Sequence, residues 1–302
     1  MSVDADVKAQ VREFYDSIGW RQIGEGVYQN ARYEDLRPVS REYIHRCHLR
    51  VARYLPGTGR LLLDAGSGPI QYPEYLEYSR GFQRRVCLDI SRRALVEAKA
   101  RIGEHGLYVV GDIANLPFRE GSFEGLVSLH TVHHLPPGEH RRAFDEFLRV
   151  LRPAGRAVVV YSWGDRSALT RLTAAPIRMA FWLLRSYRRL RGGEEAIAGQ
   201  TVAGGAGQPS PEAMGTYTHK HAYRWARTTL GDLPGFEIRV WRSVSTSFLR
   251  AFVHRQLLGR LWLRLLFWLE ERAPHFFGKV GQYPSVLFCR PSVEAGGRER
   301  VA

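Results

Sequence analysis

The chain has few cysteines, few lysines and no long hydrophobic run. Its three cysteines, Cys47, Cys87 and Cys289, are odd in number and widely spaced, which excludes a disulfide-stapled scaffold and a Cys-x-x-Cys metal site. No apolar run reaches the length that spans a bilayer, and the polar start MSVDADVKAQ does not resemble a secretory signal. We therefore expect a cytoplasmic protein with reduced thiols and no bound metal.

The positive charge comes almost entirely from arginine. The formal net charge is +14, with 40 arginines and only 4 lysines. Residues 165–280 contain 18 basic and 8 acidic residues, so most of the excess lies in this region. Two explanations stay open: a compositional bias of the genome, and attraction to an anionic partner. The hydrophobic content of 44% is that of a globular protein, and 302 residues suffice for one elaborated domain.

The most informative segment is LLLDAGSGPIQY at 61–72. Its apolar run ends in Asp64, and Gly66 and Gly68 follow at once, which predicts a buried parallel strand, a glycine turn and a helix. Such a turn lets backbone N–H groups approach a ligand closely, and a helix N-terminus favours an anion. Pro69 interrupts the glycine fingerprint of dinucleotide-binding proteins, so the turn after Gly68 must differ locally. An ordinary strand-to-helix turn is the alternative.

Three further predicted strands end in residues that could bind a nucleoside. The run at 84–91 ends near Asp89, whose carboxylate could accept hydrogen bonds from both hydroxyls of a ribose. The run at 107–118 includes Asp112, which could accept from an adenine amine. The run at 125–137 ends in a histidine cluster. In a parallel sheet these ends meet at one edge, where ligands bind.

Taken together, these motifs resemble those of the class I S-adenosylmethionine-dependent methyltransferases, in particular the type 11 small-molecule group. The matching segments are DAGSG (64–68), LDIS (88–91), GDIANLPF (111–118), HHLP (133–136) and FLRVLRPAG (147–155). The resemblance implies S-adenosylmethionine as cofactor. The residues that we expect to bind it are Asp64, Gly66, Gly68, Asp89, Ile90, Asp112, Ile113 and His130.

The predicted fold class is α/β, with a Rossmann-like, seven-stranded, mostly parallel sheet, helices on both faces and helical insertions that form a cap. The expected parts are N-terminal helices and a lid at 1–55, a cofactor-binding core at 56–164, a helical insertion at 165–233, the last two strands at 234–245 and 283–291, a second helical insertion at 246–282, and a disordered tail at 292–302.

The N-terminal segment is a candidate lid. Tyr15, Trp20 and Tyr28 lie among glycines, a composition suited to a mobile segment that closes over the cofactor and shapes the acceptor pocket. A helix packed on the edge of the sheet is the alternative.

Two helices are expected in the insertions. In the first, at 168–190, Arg171, Arg178 and Arg185 recur every seven residues; the second, at 248–272, is apolar over much of its circumference. We favour helices that pack on each other and roof the active site, which would suit a hydrophobic substrate. The alternative is a basic amphipathic helix that contacts an anionic membrane surface.

The histidine cluster could take part in catalysis. His133 and His134 follow the fourth strand, and a neutral imidazole with an unperturbed pKa near 6.5 could accept a proton from an attacking hydroxyl. The rate would then fall below about pH 6.5. A bracing role for the loop is the alternative, since methyl transfer can proceed by positioning alone.

The sequence thus predicts a methyltransferase that acts on oxygen or carbon of a hydrophobic small molecule, such as a quinone, a lipid or a natural product. An RNA methyltransferase is the first rival, because the chain is basic. No RNA-binding module is visible, however, and the excess basic residues lie in helices with an apolar stripe, which argues against nucleic acid. A non-catalytic regulator that binds the cofactor is the second rival. The sequence makes no prediction of oligomeric state.

Overall fold

The fold is known from a computed structural model that describes residues 3–24, 27–190 and 215–292. A short hairpin, β1 (Gln22–Gly24) and β2 (Val27–Tyr28), precedes the main sheet. The seven strands of that sheet are β3 (Gly59–Ala65), β4 (Phe82–Asp89), β5 (Gly106–Val110), β6 (Phe123–Leu129), β7 (Leu151–Val160), β8 (Glu237–Arg242) and β9 (Tyr283–Cys289).

The order of the main sheet is β5-β4-β3-β6-β7-β9-β8. Strands β3 to β7 pair in parallel, whereas β9 runs antiparallel to both of its neighbours. The order reverses beside β3, so the carboxyl ends of β3 and β6 border a crevice of the kind in which open α/β sheets bind ligands. The predicted fold class is therefore confirmed.

Nine α-helices surround the sheet in the described part of the chain. They are α1 (Val3–Phe14), α2 (Arg41–Arg50), α3 (Arg92–Ile102), α4 (His140–Val150), α5 (Ala168–Leu190), α6 (Tyr223–Thr229), α7 (Thr246–Phe252), α8 (Gly259–Arg272) and α9 (Pro274–Val280). A π-helical turn, Tyr15–Gly19, continues α1. None of the helices in the described ranges is long and apolar enough to cross a membrane.

Hydrophobic residues cover both faces of the sheet. Neighbouring residues of one strand, such as Leu62 and Leu63, lie in different core clusters, because successive side chains of a strand point to opposite faces. One cluster includes Phe144 of α4, and the other includes Ile44 of α2. Burial on both faces explains why the central strands read as continuous apolar runs.

Two local predictions were wrong. The segment after the glycine turn is a 3-10 helix, Pro73–Ser79, rather than an α-helix that begins beside Gly68. Ile70 has a left-handed backbone, φ 54°, and Pro73 lacks the N–H group that an α-helix begun at Gly68 would need beyond its first turn, so the expected helix dipole does not point at the glycine turn. The predicted helix 248–272 is also interrupted, and Leu258 has a left-handed backbone, φ 56°, just before α8.

Some predictions concern residues beyond the described ranges. Residues 191–214 of the expected first insertion and residues 293–302 of the expected tail lie outside them. In the described ranges no group of three acidic, histidine or cysteine side chains is placed to hold a metal ion.

Candidate cofactor and acceptor site

A cavity of about 470 Å³ lies at the carboxyl ends of β3, β4 and β6, a volume typical of cofactor sites. Twelve residues singled out in the sequence line it: Tyr15, Trp20, Asp64, Gly66, Gly68, Asp89, Ile90, Asp112, Ile113, His130, His133 and His134. Tyr28 lies behind Trp20, with ring centroids 6.1 Å apart and perpendicular planes. The strand-end motifs therefore converge on one cavity.

The glycine turn has a backbone that only glycine adopts easily. Gly66 has φ 80° and Gly68 has φ 56°. A Cβ atom on Gly66 would lie 2.3 Å from the Thr131 side chain, and one on Gly68 would lie 3.0 Å from the Trp20 ring. Asp64, at the end of β3, is buried and accepts hydrogen bonds from the Arg85 guanidinium. The turn is thus closely packed against three other segments.

Asp89 is buried and holds the turn in place. Its Oδ2 accepts from the Gly68 backbone N–H at 2.8 Å, and its Oδ1 accepts from the Ser91 N–H at 2.8 Å. Burial raises the pKa of Asp89 to about 6, although these backbone hydrogen bonds oppose the shift. An ionised carboxylate has about four acceptor positions, so two stay available for the hydroxyls of a ribose. Its geometry therefore fits the predicted role.

A salt bridge joins the predicted adenine loop to the N-terminal helix. The Lys8 Nζ atom lies 2.6 Å from Asp112 Oδ2 and 2.6 Å from Glu139 Oε2. Burial alone would lower the pKa of Lys8, but the two carboxylates raise it. Sequence reasoning missed Lys8, because nothing near it in the chain distinguishes it from a solvated lysine. Its position links α1 directly to the rim of the cavity.

The π-helical turn after α1 and the residue that follows it contribute two aromatic rings to the cavity. The Tyr15 ring stacks on the Trp20 ring with centroids 5.1 Å apart. The N-terminal segment thus covers the cavity, as a lid would.

If this segment is a lid, loss of Lys8 should loosen it. We expect Lys8→Ala to increase chymotrypsin cleavage near Phe14 and Tyr15 by about two- to thirtyfold, because two partly exposed ion pairs contribute ~0.2–1 kcal/mol each. Cleavage is measured by mass spectrometry with and without S-adenosylmethionine. The matched control is Arg12→Ala, an exposed residue of the same helix. Equal cleavage of wild type and Lys8→Ala, with no protection by the cofactor, would refute the lid.

His134 forms hydrogen bonds through both ring nitrogens. Its Nδ1 lies 2.8 Å from the Tyr217 carbonyl oxygen, to which it must donate, so its Nε2 accepts from the Tyr15 hydroxyl at 2.9 Å. Burial lowers the pKa of His134 to about 4. His133 is buried, burial lowers its pKa far below the ordinary value, and its Nδ1 has no hydrogen-bond partner among the described residues. Both imidazoles are therefore neutral at physiological pH.

His130 has a different environment. Its backbone is left-handed, with φ 56°, and its ring packs edge-on against Trp241 and Tyr283. Burial lowers its pKa to about 3. The ordinary pKa of 6.5 assumed from the sequence does not hold for His133 and His134, because other side chains enclose both rings.

Another part of the cavity is lined by residues that belong to none of the sequence motifs. Glu34 and Arg242 form a buried ion pair there. Burial alone would raise the pKa of Glu34, but Arg242 and His48 lower it to about 2. The rings of Tyr33, Tyr72 and Tyr283 line the same part of the cavity and form an aromatic wall. These residues come from distant segments, so no sequence pattern could have grouped them.

Lys220 is the cation of this region that forms no ion pair with the described residues. It lines the cavity, and burial lowers its pKa despite the opposing charge of Asp165. Its segment is held over the histidine loop because the His219 N–H donates to the His133 carbonyl at 2.7 Å. The expected cover differs in detail: among the described residues, α1, the π-turn and residues 215–220 of the first insertion line the cavity, whereas the helices α5 and α8 do not.

Comparison with known families identifies the strand-end motifs. Residues 63–159 match a family described as "Methyltransferase domain". The chain carries a class I S-adenosylmethionine-dependent methyltransferase domain. The match begins in β3 and ends in β7, so the methyltransferase domain contains the glycine turn, Asp89, the Asp112 loop and the histidine cluster.

Curated relatives resemble the methyltransferase domain over part of their length. One is the tRNA (carboxymethyluridine(34)-5-O)-methyltransferase alkbh8 of Xenopus tropicalis, 27% identical over 41% of this chain and 22% of that protein. Another is the tRNA (carboxymethyluridine(34)-5-O)-methyltransferase of Arabidopsis thaliana, 29% identical over 45% of this chain and 37% of that protein. The chain thus spans about a fifth to two fifths of their length.

A solved structure extends the likeness of fold beyond the domain. Phosphoethanolamine N-methyltransferase 1 of Haemonchus contortus, solved with phosphoethanolamine and S-adenosylhomocysteine, aligns with 99% of this chain and 52% of its own at a TM-score of 0.55. The sequence identity is 12%, so the similarity concerns the fold.

Proposed function

We propose that the chain transfers the methyl group of S-adenosylmethionine to an oxygen or carbon of a hydrophobic small molecule such as a quinone, a lipid or a natural product. The observation that carries this proposal is the aromatic wall of Tyr33, Tyr72 and Tyr283 beside the cofactor motifs. Aromatic rings with a few placed polar groups are typical of sites for apolar ligands. Lys220 would orient an electron-rich oxygen of the acceptor.

The cofactor, when bound, supplies an electrophilic methyl group. The residues of the chain hold the acceptor in line with it and exclude water, which can account for much of the rate. For a hydroxyl acceptor, the Tyr15–His134 pair offers a route for the proton. The acceptor proton would pass to the Tyr15 oxygen as the tyrosine proton passes to His134 Nε2.

This route can be tested at both of its residues. If the acceptor is a hydroxyl, we expect His134→Ala to lower kcat by ~100-fold, at the lower end of the range for general bases because the imidazole is weakly basic. Tyr15→Phe keeps the ring that stacks on Trp20 and removes the proton route, so it should lower kcat similarly. Full activity of Tyr15→Phe, and of the double variant His133→Ala/His134→Ala, would return both histidines to a structural role.

The structure also changes the expected pH profile. Because the pKa of His134 is about 4, its ring stays neutral at higher pH. At saturating cofactor, kcat should therefore stay level well below pH 6.5, down to about pH 5. Measuring kcat against pH with excess S-adenosylmethionine checks this. A decline centred near pH 6.5 would mean that an exposed histidine controls the rate instead.

The reaction itself is tested by incubating the purified chain with isotopically labelled S-adenosylmethionine and a cell extract. The extract is first divided into a lipid and small-molecule fraction and a total RNA fraction, and products are identified by mass spectrometry. We expect label in the first fraction. The matched control is the Gly66→Val variant, which should give none.

An RNA acceptor is the second candidate. The names of the tRNA methyltransferase relatives and the net charge of +14 favour it. Label confined to the RNA fraction would establish it and refute the small-molecule proposal. Cofactor binding without label in either fraction would favour a non-catalytic regulator.

A further inference from the structure

Helix α5 presents a row of large apolar side chains to solvent. Leu172, Met179, Trp182 and Leu183 are 53–76% exposed, although Ile177 on the same helix is buried. Leu172, Met179 and Leu183 are spaced at intervals of seven and four residues, so they lie on one face of the helix. Apolar residues of a soluble helix normally face the core, whereas here many face outward.

Helix α8 also presents large apolar side chains to solvent. Leu261, Trp262, Leu265, Trp268 and Leu269 are 39–65% exposed. The opposite face is held in the core by Glu270, whose carboxylate accepts from the Tyr43 hydroxyl, the Ser243 N–H and Arg50. A buried carboxylate with these partners fixes the rotation of the helix about its axis. The fold therefore sets the exposure of Trp262 and Trp268.

Helix α7 and the turn after it connect the two rows. Helix α7 packs against α5, and the 3-10 turn Arg255–Leu257 that follows α7 packs against α8. The chain between α7 and α8 adds exposed Leu257 and Leu258, each 63% exposed. We call this surface, made by the outer faces of α5 and α8 with Leu257 and Leu258, the docking flank. Its extent far exceeds a scatter of single apolar residues.

The docking flank is bordered by positive charge. Arg171, Arg178 and Arg185 follow one edge of the apolar row of α5, and Arg260 lies beside that of α8. The sequence of α5 contains no acidic residue. An apolar face edged by arginine, with tryptophans at its margin, matches the boundary between lipid headgroups and acyl chains.

We propose that the docking flank binds the surface of an anionic lipid bilayer. Its leucines and tryptophans insert at the headgroup boundary, and its arginines contact lipid phosphates. The proposal concerns the location of the protein and does not depend on the identity of the methyl acceptor. Binding would place the methyltransferase domain at the bilayer, where hydrophobic molecules concentrate.

Two other occupants fit less well. A second copy in a symmetric dimer would place the same arginine-bordered surface against itself, so like charges would meet. The segment 191–214 is too poor in large apolar residues to cover the flank, since its sequence contains only Ile197, Val202 and Met214.

The test is flotation of the full chain with vesicles of phosphatidylcholine alone or mixed with phosphatidylglycerol. We expect wild type to float with the anionic vesicles at low salt and to be released by high salt. Trp262→Ser/Trp268→Ser and Arg178→Glu/Arg185→Glu should each reduce the bound fraction by about tenfold or more. The affinity for S-adenosylmethionine should be unchanged in both variants, which shows that they fold.

Matched controls come from exposed residues away from the flank. Val96→Ser on α3 and Arg60→Glu/Arg84→Glu, near the amino ends of β3 and β4, should float as wild type does. Failure of wild type to float at low salt would overturn the proposal, as would equal loss in the controls. A dimer mass in light scattering that Trp262→Ser/Trp268→Ser converts to monomer, without flotation, would overturn it in favour of a second copy. Loss of RNA binding alone in the arginine variant would overturn it in favour of nucleic acid.

Discussion

Gly66→Val should abolish binding of S-adenosylmethionine. The sequence predicts that the backbone of this turn approaches a ligand closely, and the structure adds a collision inside the protein. A Cβ atom would lie 2.3 Å from the Thr131 side chain, and φ of 80° is a conformation that a β-branched residue avoids. Relief of both strains requires the turn to move away from Thr131, in the loop after β6, which would disrupt the cofactor site.

The measurement for this variant is isothermal titration calorimetry, with circular dichroism and the melting temperature as checks on folding. Gly138→Ala is the matched control, because a Cβ atom there meets no atom within 4 Å and the backbone is not left-handed. The control should bind as wild type does. Near-native affinity of a folded Gly66→Val protein would place the cofactor elsewhere in the chain.

Asp89→Ala should weaken binding of S-adenosylmethionine by about tenfold to a hundredfold or more. A hydrogen bond to a charged acceptor contributes ~1.5–3 kcal/mol, and a ribose offers two hydroxyls. The variant also frees the Gly68 and Ser91 N–H groups that the carboxylate now accepts from, so the glycine turn loses its support. Unchanged affinity in a folded variant would remove Asp89 from the cofactor site.

The pKa of Asp89 gives the same assignment a second test. The ionised form accepts the ribose hydroxyls, and its pKa in the free protein is about 6. As the pH falls below about 6, the carboxyl group becomes protonated and the affinity should fall, by at most about tenfold per pH unit. Asp89→Asn removes this titration, so its weaker affinity should not show this decline. A wild-type affinity that stays level from pH 7 to pH 5 would contradict the assignment.

The sequence by itself determined the fold class and the cofactor. Asp64 and Asp89 follow an apolar run directly, Asp112 follows one after Gly111, and the parallel order of the strands brings such ends together. These signals are local: a few adjacent residues specify a strand, its end and the turn after it. Both conclusions were therefore within reach of sequence reasoning, and both are confirmed.

Only the tertiary structure decided what surrounds that core. Lys8, Glu34, Lys220 and Arg242 lie far apart in the chain and meet only because the fold brings their segments to one cavity. The pKa values of the histidines depend on burial, which no local motif records. The sequence also does not reveal which face of α8 is exposed, because that helix is apolar on most of its circumference. The buried Glu270, with its partners on α2 and at Ser243 directly after β8, decides it.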